Sequence, residues 1–479
     1  MAPPSHDLRR AYKRPAISDQ QRRRELALLR QSQHRADSHH RARQLASSLL
    51  PSSEGPLRTE QEIEPEVEPG TEPEVEPEAR VLDAPRAAKL GGAEARRWFA
   101  RQIMLPEWMI DAPPDLDRNW ELKLKSTSDV ARSASLLREA AGECLANAIT
   151  VACAVRESQN EEYDVLALKN YNGKGCKMYV FPRPAGKRCF VVSSNGTTVS
   201  RLRNGSVLHH FPSSLPNGAR TKDKSGPSSS YSILDCIFHE PDQTYYVIDM
   251  VCWRGYSLYD CSAEFRFFWL NSKLTETGAC NPPSTYHKYR FSIVPIYECT
   301  EQGLHAAYSG VVPYVKDGLL FYNKQAHYQT GNTPLALVWK DGACSQYLLD
   351  TDSKGQVPSQ QQVVLELQED GKLTTSDDPP HVFGCFDRDF IQKSGLRPGN
   401  LLRFAIRDES VRLVDGKMEI SDLQFVGRSN RARAFADSHS KVLFQYAARH
   451  SPLRIEDLFA CIRSSPTDED GSNDIEMAG

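Results

Sequence analysis

The sequence predicts an α+β protein, mainly antiparallel sheet, preceded by a basic arm that is helical or disordered. Three observations carry that expectation. Asn-Gly pairs punctuate strand-like runs in the middle of the chain, at Asn195-Gly196 and Asn204-Gly205. The first eighty residues are divided into blocks of opposite charge, which leaves the packed domains to begin later. Helix-like stretches of the body flank the strand candidates, at Ala131 to Val155 and near the end of the chain.

The arm comes first, over residues 1–50. Residues 1–45 hold eleven Lys/Arg against four Asp/Glu. From Gln20 to Leu50 there is no Pro or Gly, and Ser18 or Asp19 is placed to cap a helix. Large apolar residues are sparse there, so no hydrophobic stripe can hold the helix to a core. The segment is therefore expected to be mostly disordered alone and helical when docked in something acidic.

Residues 51–95 form a linker, with Glu-Pro-Glu-Val-Glu-Pro at 64–69 repeated at 72–77. Between 51 and 80 there are ten Glu against two Arg, and proline with like-charge repulsion favours an extended spacer. A fold-back of this acidic neck onto the basic arm is the alternative. The near-neutral total charge of −3 conceals this division.

Globular sequence is expected from Arg96 to Cys344. Arg188 to Ser194, Thr197 to Arg203, Tyr231 to His239, Thr244 to Cys252, Phe265 to Leu270 and Gly318 to Tyr322 read as strands. Asn-Gly between such runs is a strong hairpin signal because both residues tolerate positive φ. Residues 121–177 interrupt the pattern, and the sheet resumes at Met178. This insert reads as a lineage loop or, preferably, a retained intron, because its composition matches neither flank. Residues 345–463 carry further strands at Gln362 to Gln368, Leu401 to Arg407 and Val411 to Val414, then two helices. An OB-like domain is one reading of them. The acidic residues 464–479 are expected to be disordered.

Several classes are excluded. No run of eighteen apolar residues exists, so no membrane helix is expected, and the N-terminus lacks a secretory apolar region. Twelve cysteines contain no C-x-x-C pair, which excludes the usual zinc-ribbon spacing and argues against a disulfide framework. A reducing compartment, cytosol or nucleus, is expected, with the chain a monomer.

Two separated regions resemble one family. Leu8-Arg9-Arg10-Ala11-Tyr12-Lys13, Arg22-Arg23-Arg24-Glu25-Leu26 and His40-Arg41-Ala42-Arg43-Gln44-Leu45-Ala46 resemble an importin-β-binding domain. Gln102 to Asp111, Tyr245 to Gly255 and Asp317 to Tyr322 complete a resemblance to the snurportin family, adaptors that carry trimethylguanosine-capped spliceosomal RNPs into the nucleus. It covers about residues 8–46 and 98–340, leaving out the insert.

The resemblance implies a cap-binding domain similar in fold to the nucleotidyltransferase domain of mRNA-capping guanylyltransferases and ligases. Active members of that fold carry K-x-D-G-x-R, whose lysine attacks GTP. Here the stretch reads Arg183-Pro184-Ala185-Gly186-Lys187-Arg188. A guanidinium, with a pKa above about 12, has no free lone pair for the attack. The metal-binding D-G-E signature appears as Asp235-Cys236-Ile237, while Asp317-Gly318 and Val338-Trp339-Lys340 resemble the last two motifs. The implied protein binds without catalysing and needs no cofactor or metal.

A 7-methylated guanine is a flat cation, so aromatic planes suit it, with stacking worth about 1–3 kcal/mol per base. Methylation at N2 removes the donors that a carboxylate would accept, and the triphosphate bridge needs cations. By resemblance, Trp108 and Trp339 are the aromatic contacts, Trp339 stacking on the base, and Arg188 and Arg203 face the phosphates. Arg183 and Pro106 depart from the small polar residues of the family, and Arg183 adds a phosphate cation. Core burial of either tryptophan is the plain alternative.

The implied partners are importin-β, with Arg22, Arg23, Arg24, Arg30, Arg41 and Arg43 pairing to its carboxylates, and capped U snRNA or snRNP. The implied localisation is shuttling between cytoplasm and nucleus. An exportin would recycle such an adaptor, but Met1 to Asp7 lacks the apolar stretch that contact uses, which counts against it. Two competing readings remain: a capping-type guanylyltransferase or RNA ligase using another lysine such as Lys187, and an importin-β adaptor whose cargo is a protein.

Overall fold

The computed structural model describes residues 19–31, 45, 92–113, 177–220, 230–352, 354–407, 411–414, 417–420, 422–429 and 433–463. The linker up to residue 91, most of the insert and its helix, the acidic tail, and Arg41 and Arg43 lie outside the described residues.

In chain order the elements are α1 (Asp19–Arg30), α2 (Gly92–Ala100), β1 (Met104–Trp108), β2 (Met178–Pro184), β3 (Lys187–Ser194), β4 (Thr197–Leu202) and β5 (Val207–Phe211). Then follow β6 (Tyr231–His239), β7 (Thr244–Trp253), β8 (Tyr256–Ser257), α3 (Ala263–Glu276), β9 (Arg290–Ile293), β10 (Tyr297–Glu298), α4 (Glu301–Ser309), β11 (Lys316–Asn323) and β12 (Gly331–Trp339). The C-terminal part adds β13 (Gln361–Leu367), β14 (Lys372–Thr374), β15 (Val382–Cys385), α5 (Arg388–Lys393), β16 (Leu401–Ile406), β17 (Val411–Val414), β18 (Lys417–Ile420), β19 (Leu423–Arg428), α6 (His439–His450) and α7 (Ile455–Arg463).

The pairing is mainly antiparallel, with parallel contacts at β1–β12 and β7–β9. One sheet has the order β1-β12-β11-β2-β10, and a second runs β5-β4-β3-β6-β7-β8 with β9 beside β7. The two sheets enclose a core in which Phe181, Leu320, Tyr322 and Val338 meet Phe190, Ile237, Tyr246 and Ile248. Strand alternation sends the intervening residues to the outer faces. Val180, Leu319, Leu337 and Trp339 lie under α4 and α7, while Cys189, Leu234, Cys236 and Val247 lie under α3. A third sheet, β15-β14-β13-β16-β19, carries α5 between its third and fourth strands and packs its own core around Leu365, Leu402 and Phe404.

The hairpins lie where the Asn-Gly pairs put them. Asn195 and Gly196 adopt φ of 53° and 75°, the left-handed values that a tight β3–β4 turn requires. Phe265 to Leu270, expected as a strand, is instead part of α3. Ser262 caps that helix by accepting from the Phe265 amide, and its buried residues Ala263, Arg266, Phe267, Leu270 and Leu274 recur at helical spacing. Its aromatic run reads as β-like, yet Phe268 is left exposed to solvent. α2 begins at Gly92, and its first buried residue among those described is Phe99.

The basic arm is a second departure. α1 docks on the body rather than waiting for an external acidic surface. Arg24 is 1% exposed and donates Nε to the Pro334 carbonyl at 3.0 Å, while Gln31 exchanges hydrogen bonds with the Gln325 carbonyl and the His327 amide. Leu45 enters the main core. Polar and backbone contacts supply what the missing hydrophobic stripe does not.

Candidate functional site

The candidate site is built at one end of the β1-β12-β11-β2 sheet. Arg183, at the end of β2, reaches across to β11 and pairs with Asp317, donating also to its carbonyl at 3.1 Å. Lys340, one residue past β12, donates Nζ to the other Asp317 oxygen at 2.6 Å and to the Tyr347 carbonyl at 2.9 Å. Asp317 thus lies between two cations. Burial pushes its carboxyl up, but Arg183 and Lys340 outweigh that and hold it below the ordinary carboxylate range. The same burial, with Arg183 nearby, draws the Lys340 ammonium down. Gly318 makes the close approach possible: its φ is +94°, and a Cβ there would meet the Trp339 carbonyl oxygen at 2.4 Å.

A second cluster adjoins the first from the other sheet. Arg188 on β3 donates Nε and Nη2 to the two Asp235 oxygens at 3.1 and 2.7 Å, and the Tyr328 hydroxyl donates to the same carboxylate at 2.6 Å. Burial alone would lower the Arg188 pKa, but Asp235 more than offsets it and the guanidinium is held firmly charged. Arg203, just past β4, is exposed and faces cations. Arg188, Arg433 and Arg183 repel its charge, and Asp437 opposes them. Among the described residues no hydrogen bond or ion pair engages Arg203. A crowded cation without a counter-ion favours an arriving anion.

Trp108 supplies the aromatic surface. It ends β1 half-buried, with its amide donating to Ser440 Oγ at 3.2 Å and its ring packed on Phe444 at 4.7 Å and 38°. Lys340 Nζ lies 5.9 Å from the centre of the Trp108 ring. Trp108 and Lys340 line a cavity of about 470 Å³ whose other wall is the C-terminal region. That volume is within the range of pockets that take small ligands.

Trp339 is placed elsewhere, and the expectation that it stacks on a base is corrected here. Its ring is fully buried, and its indole Nε1 donates to the Leu453 carbonyl at 3.0 Å beneath α7. The reason is alternation: Val338 faces one side of β12, Trp339 the other, and α7 covers that other side with Ile455, Leu458 and Ile462. Of the expected cap contacts only Trp108 lines this cavity; Arg183 adjoins it through the Asp317 and Lys340 pair, Arg188 and Arg203 lie in the neighbouring cluster, and Trp339 is left out. Pro106 lies on β1, in register with Thr333.

Sequence reasoning did not find the far wall of the cavity, where Arg403, Arg433, Lys441 and Arg449 face Trp108. A signal was present in the four-residue spacing of Arg433, Asp437 and Lys441, which pair with one another.

Of the arginines expected to meet importin-β, Arg23 pairs with Glu107, Arg24 is buried and Arg30 is exposed. The side chain of Arg22 lies outside what is described. Lys187, the lysine of the enzyme alternative, is exposed and pairs with Glu240 at 2.6 Å.

Fold and site together define an α+β protein with a cation-lined aromatic cleft between its antiparallel sheets and its C-terminal region. Residues 173–340 match the family described as Snurportin1, m3G cap-binding domain. Over that stretch the chain is snurportin-like; Arg183, Arg188, Arg203 and Trp339 lie inside it, and Trp108 lies before it. Among solved structures, the chain is similar to the ligase domain of M. tuberculosis LigD, at 10% identity over 53% of this chain and 89% of that one, with a TM-score of 0.25. It is similar also to a mycobacterial DNA ligase D complexed with ATP and MES (10%, 53% and 89%, TM-score 0.24) and to a Lig E DNA ligase (13%, 53% and 93%, TM-score 0.21).

Proposed function

We propose that this chain binds the 2,2,7-trimethylguanosine cap of spliceosomal snRNA and links the capped snRNP to importin-β, shuttling between cytoplasm and nucleus without making or breaking a covalent bond. The observation that carries the reading is Trp108: a half-buried indole on a cation-lined cavity, adjoining a domain that matches a cap-binding family.

The chemistry of the cavity favours this ligand. The Trp108 ring offers a π-face to a cationic purine, worth about 1–3 kcal/mol. Leu348, Leu349 and Val364 on the cavity are apolar, which suits a base whose N2 has lost both donors. The carboxylates on the cavity are already engaged, Asp437 by Arg433 and Lys441 and Asp350 by Lys441. A pocket for a monomethylated cap would present a free one. Arg203, Arg183, Arg188 and Lys340 are the cations that would meet the triphosphate.

Against a guanylyltransferase or ligase stand the arginine at position 183 and the engagement of Lys187 by Glu240. The importin-β link rests on the arm. α1 is a helix with Arg30 outward, while Arg23 and Arg24 would have to leave the body to pair with importin carboxylates.

The test is tryptophan fluorescence titrated with trimethylated and monomethylated cap dinucleotides, alongside incubation with labelled GTP and Mg²⁺. Quenching selective for the trimethyl form, with no covalent GMP adduct, is the expected result. Equal indifference to both dinucleotides at micromolar concentration rules the reading out, and an acid-labile GMP adduct establishes the enzyme.

A further inference from the structure

Of the residues that line the cavity beside Trp108, only Lys340 belongs to the region that matches the cap-binding family. Its second wall comes from residues beyond 340, to which no role is assigned. On β13 and β16, Leu365, Leu402 and Phe404 turn into the C-terminal core, so alternation turns Val364 and Arg403, paired across the two strands, to the opposite face. That face is the one that looks onto the cavity. α6 closes the floor, holding Lys441 and Arg449 there while Phe444 grips Trp108.

The charges on this wall are unequal. Arg403, Arg433, Lys441 and Arg449 stand against Asp350 and Asp437. Both acids are taken up by Lys441 and Arg433. Arg403 is exposed, and among the described residues no ion pair or side-chain hydrogen bond engages it. Arg449 spends one guanidinium nitrogen on the Pro358 carbonyl at 3.1 Å, while its buried Nε has no partner among the described residues. With Arg403 and the Arg449 Nε unpartnered among the described residues, the cleft holds more cationic donors than the protein satisfies. It runs from an aromatic face at one end to an open, basic sheet face at the other. This is the arrangement that binds a single strand: a stacking surface for a base and a cationic track for the phosphates that follow it.

We propose that residues 345–463 form the second wall of an RNA cleft, in which the single strand continuing from the nucleotide at Trp108 lays its phosphates along Arg403 and Arg449. The proposal takes its orientation from the cap reading. It extends that reading from the cap to the chain behind it, and assigns a ligand class to the C-terminal region.

The experiment compares the full chain binding a trimethylguanosine cap dinucleotide, a ten-nucleotide RNA with the same cap, and the same RNA uncapped, each across a salt series. The capped RNA is expected to bind at least tenfold tighter than the dinucleotide at low salt. With two phosphates neutralised, its log K against log salt should be steeper by about 1.4. Arg403→Ala should reduce the slope of the capped RNA by about 0.7, the increment for one phosphate of a single strand. Arg403→Lys should restore it. Equal affinity and slope for dinucleotide and capped RNA in the wild type overturn the proposal. So does an acidic peptide that binds with an Arg403-dependent slope where RNA has none. Should the dinucleotide fail to bind while uncapped RNA keeps the Arg403-dependent slope, the cleft stands and the cap reading falls.

Discussion

Arg23 of the basic arm and Glu107 of β1 form a two-pronged ion pair across 84 residues of sequence, with the second nitrogen 3.1 Å from the second carboxylate oxygen. Gln20 donates to the same carboxylate at 2.9 Å. Glu107 is 2% exposed and Arg23 31%, so the acid is the captive partner. Glu107 also precedes Trp108 directly, which places the arm's anchor next to the cleft.

Releasing the arm should therefore cost affinity. An isolated peptide of residues 8–46 is expected to bind importin-β more tightly than the full chain does. The Arg23–Glu107 contact is partly open to solvent, so its share is roughly 1 kcal/mol, about a fivefold effect. Glu107→Gln should bring the full chain's affinity toward that of the peptide, read by titration calorimetry. Unchanged affinity in the variant removes the arm's docking from the account.

The two candidate tryptophans should separate cleanly. Trp108→Ala is expected to abolish cap-induced quenching and to weaken cap binding by about tenfold, at roughly 1–3 kcal/mol for the lost stack. Trp339→Ala instead empties a core site and should lower stability by about 3–5 kcal/mol. Chemical denaturation measures the second effect, and fluorescence titration the first. Stability loss on Trp108→Ala alone would reverse the assignment.

The most buried ion pair is structural. Arg266 on α3 donates Nε and Nη2 to the two Asp249 oxygens, each at 2.8 Å, and both side chains are fully inaccessible. Arg266 also donates to the Cys261 and Ala326 carbonyls at 2.6 and 2.8 Å, tying α3 to β7 and to the loop after β11. Arg266→Met should cost about 3–5 kcal/mol, because it strands a buried carboxylate. The double variant Arg266→Met, Asp249→Leu should recover much of that in guanidinium denaturation.

The Asp317 carboxyl gives a pH dependence of defined sign. Its folded pKa is depressed, after burial, by Arg183 and Lys340. Stability from this group is therefore present above the unfolded value of about 3.9 and is lost as pH falls through the lower folded value. Asp317→Asn should be less stable than the wild type at pH 7, with the gap closing below about pH 4. Thermal melts across that range test it, and a gap that widens on acidification refutes it.

Much of the fold was legible because the signals were local. The Asn195-Gly196 turn requires positive φ from two adjacent residues, and β6 and β7 are long apolar runs that need both faces covered. α3 was misread because an aromatic run carries no period of its own; the Ser262 cap and the spacing to Leu274 decide it. Arg183, Asp317 and Lys340 were legible as motifs but not as a triad. The sequence separation between the first two, 134, hides a contact that strand pairing makes.

What the sequence by itself determined was the division of charge, the hairpins, and an arginine where attack would need a free amine. Only the tertiary structure decided which tryptophan meets the cleft. Alternation puts Val338 and Trp339 on opposite faces of β12 but does not say which face stays open. α7, arriving more than a hundred residues later, covers Trp339 through the Leu453 carbonyl. Trp108 is left half-buried at the cleft, with Phe444 of α6 packed on its ring and Lys340 Nζ 5.9 Å from its centre. Coverage of a face depends on distant chain, and no local pattern encodes it.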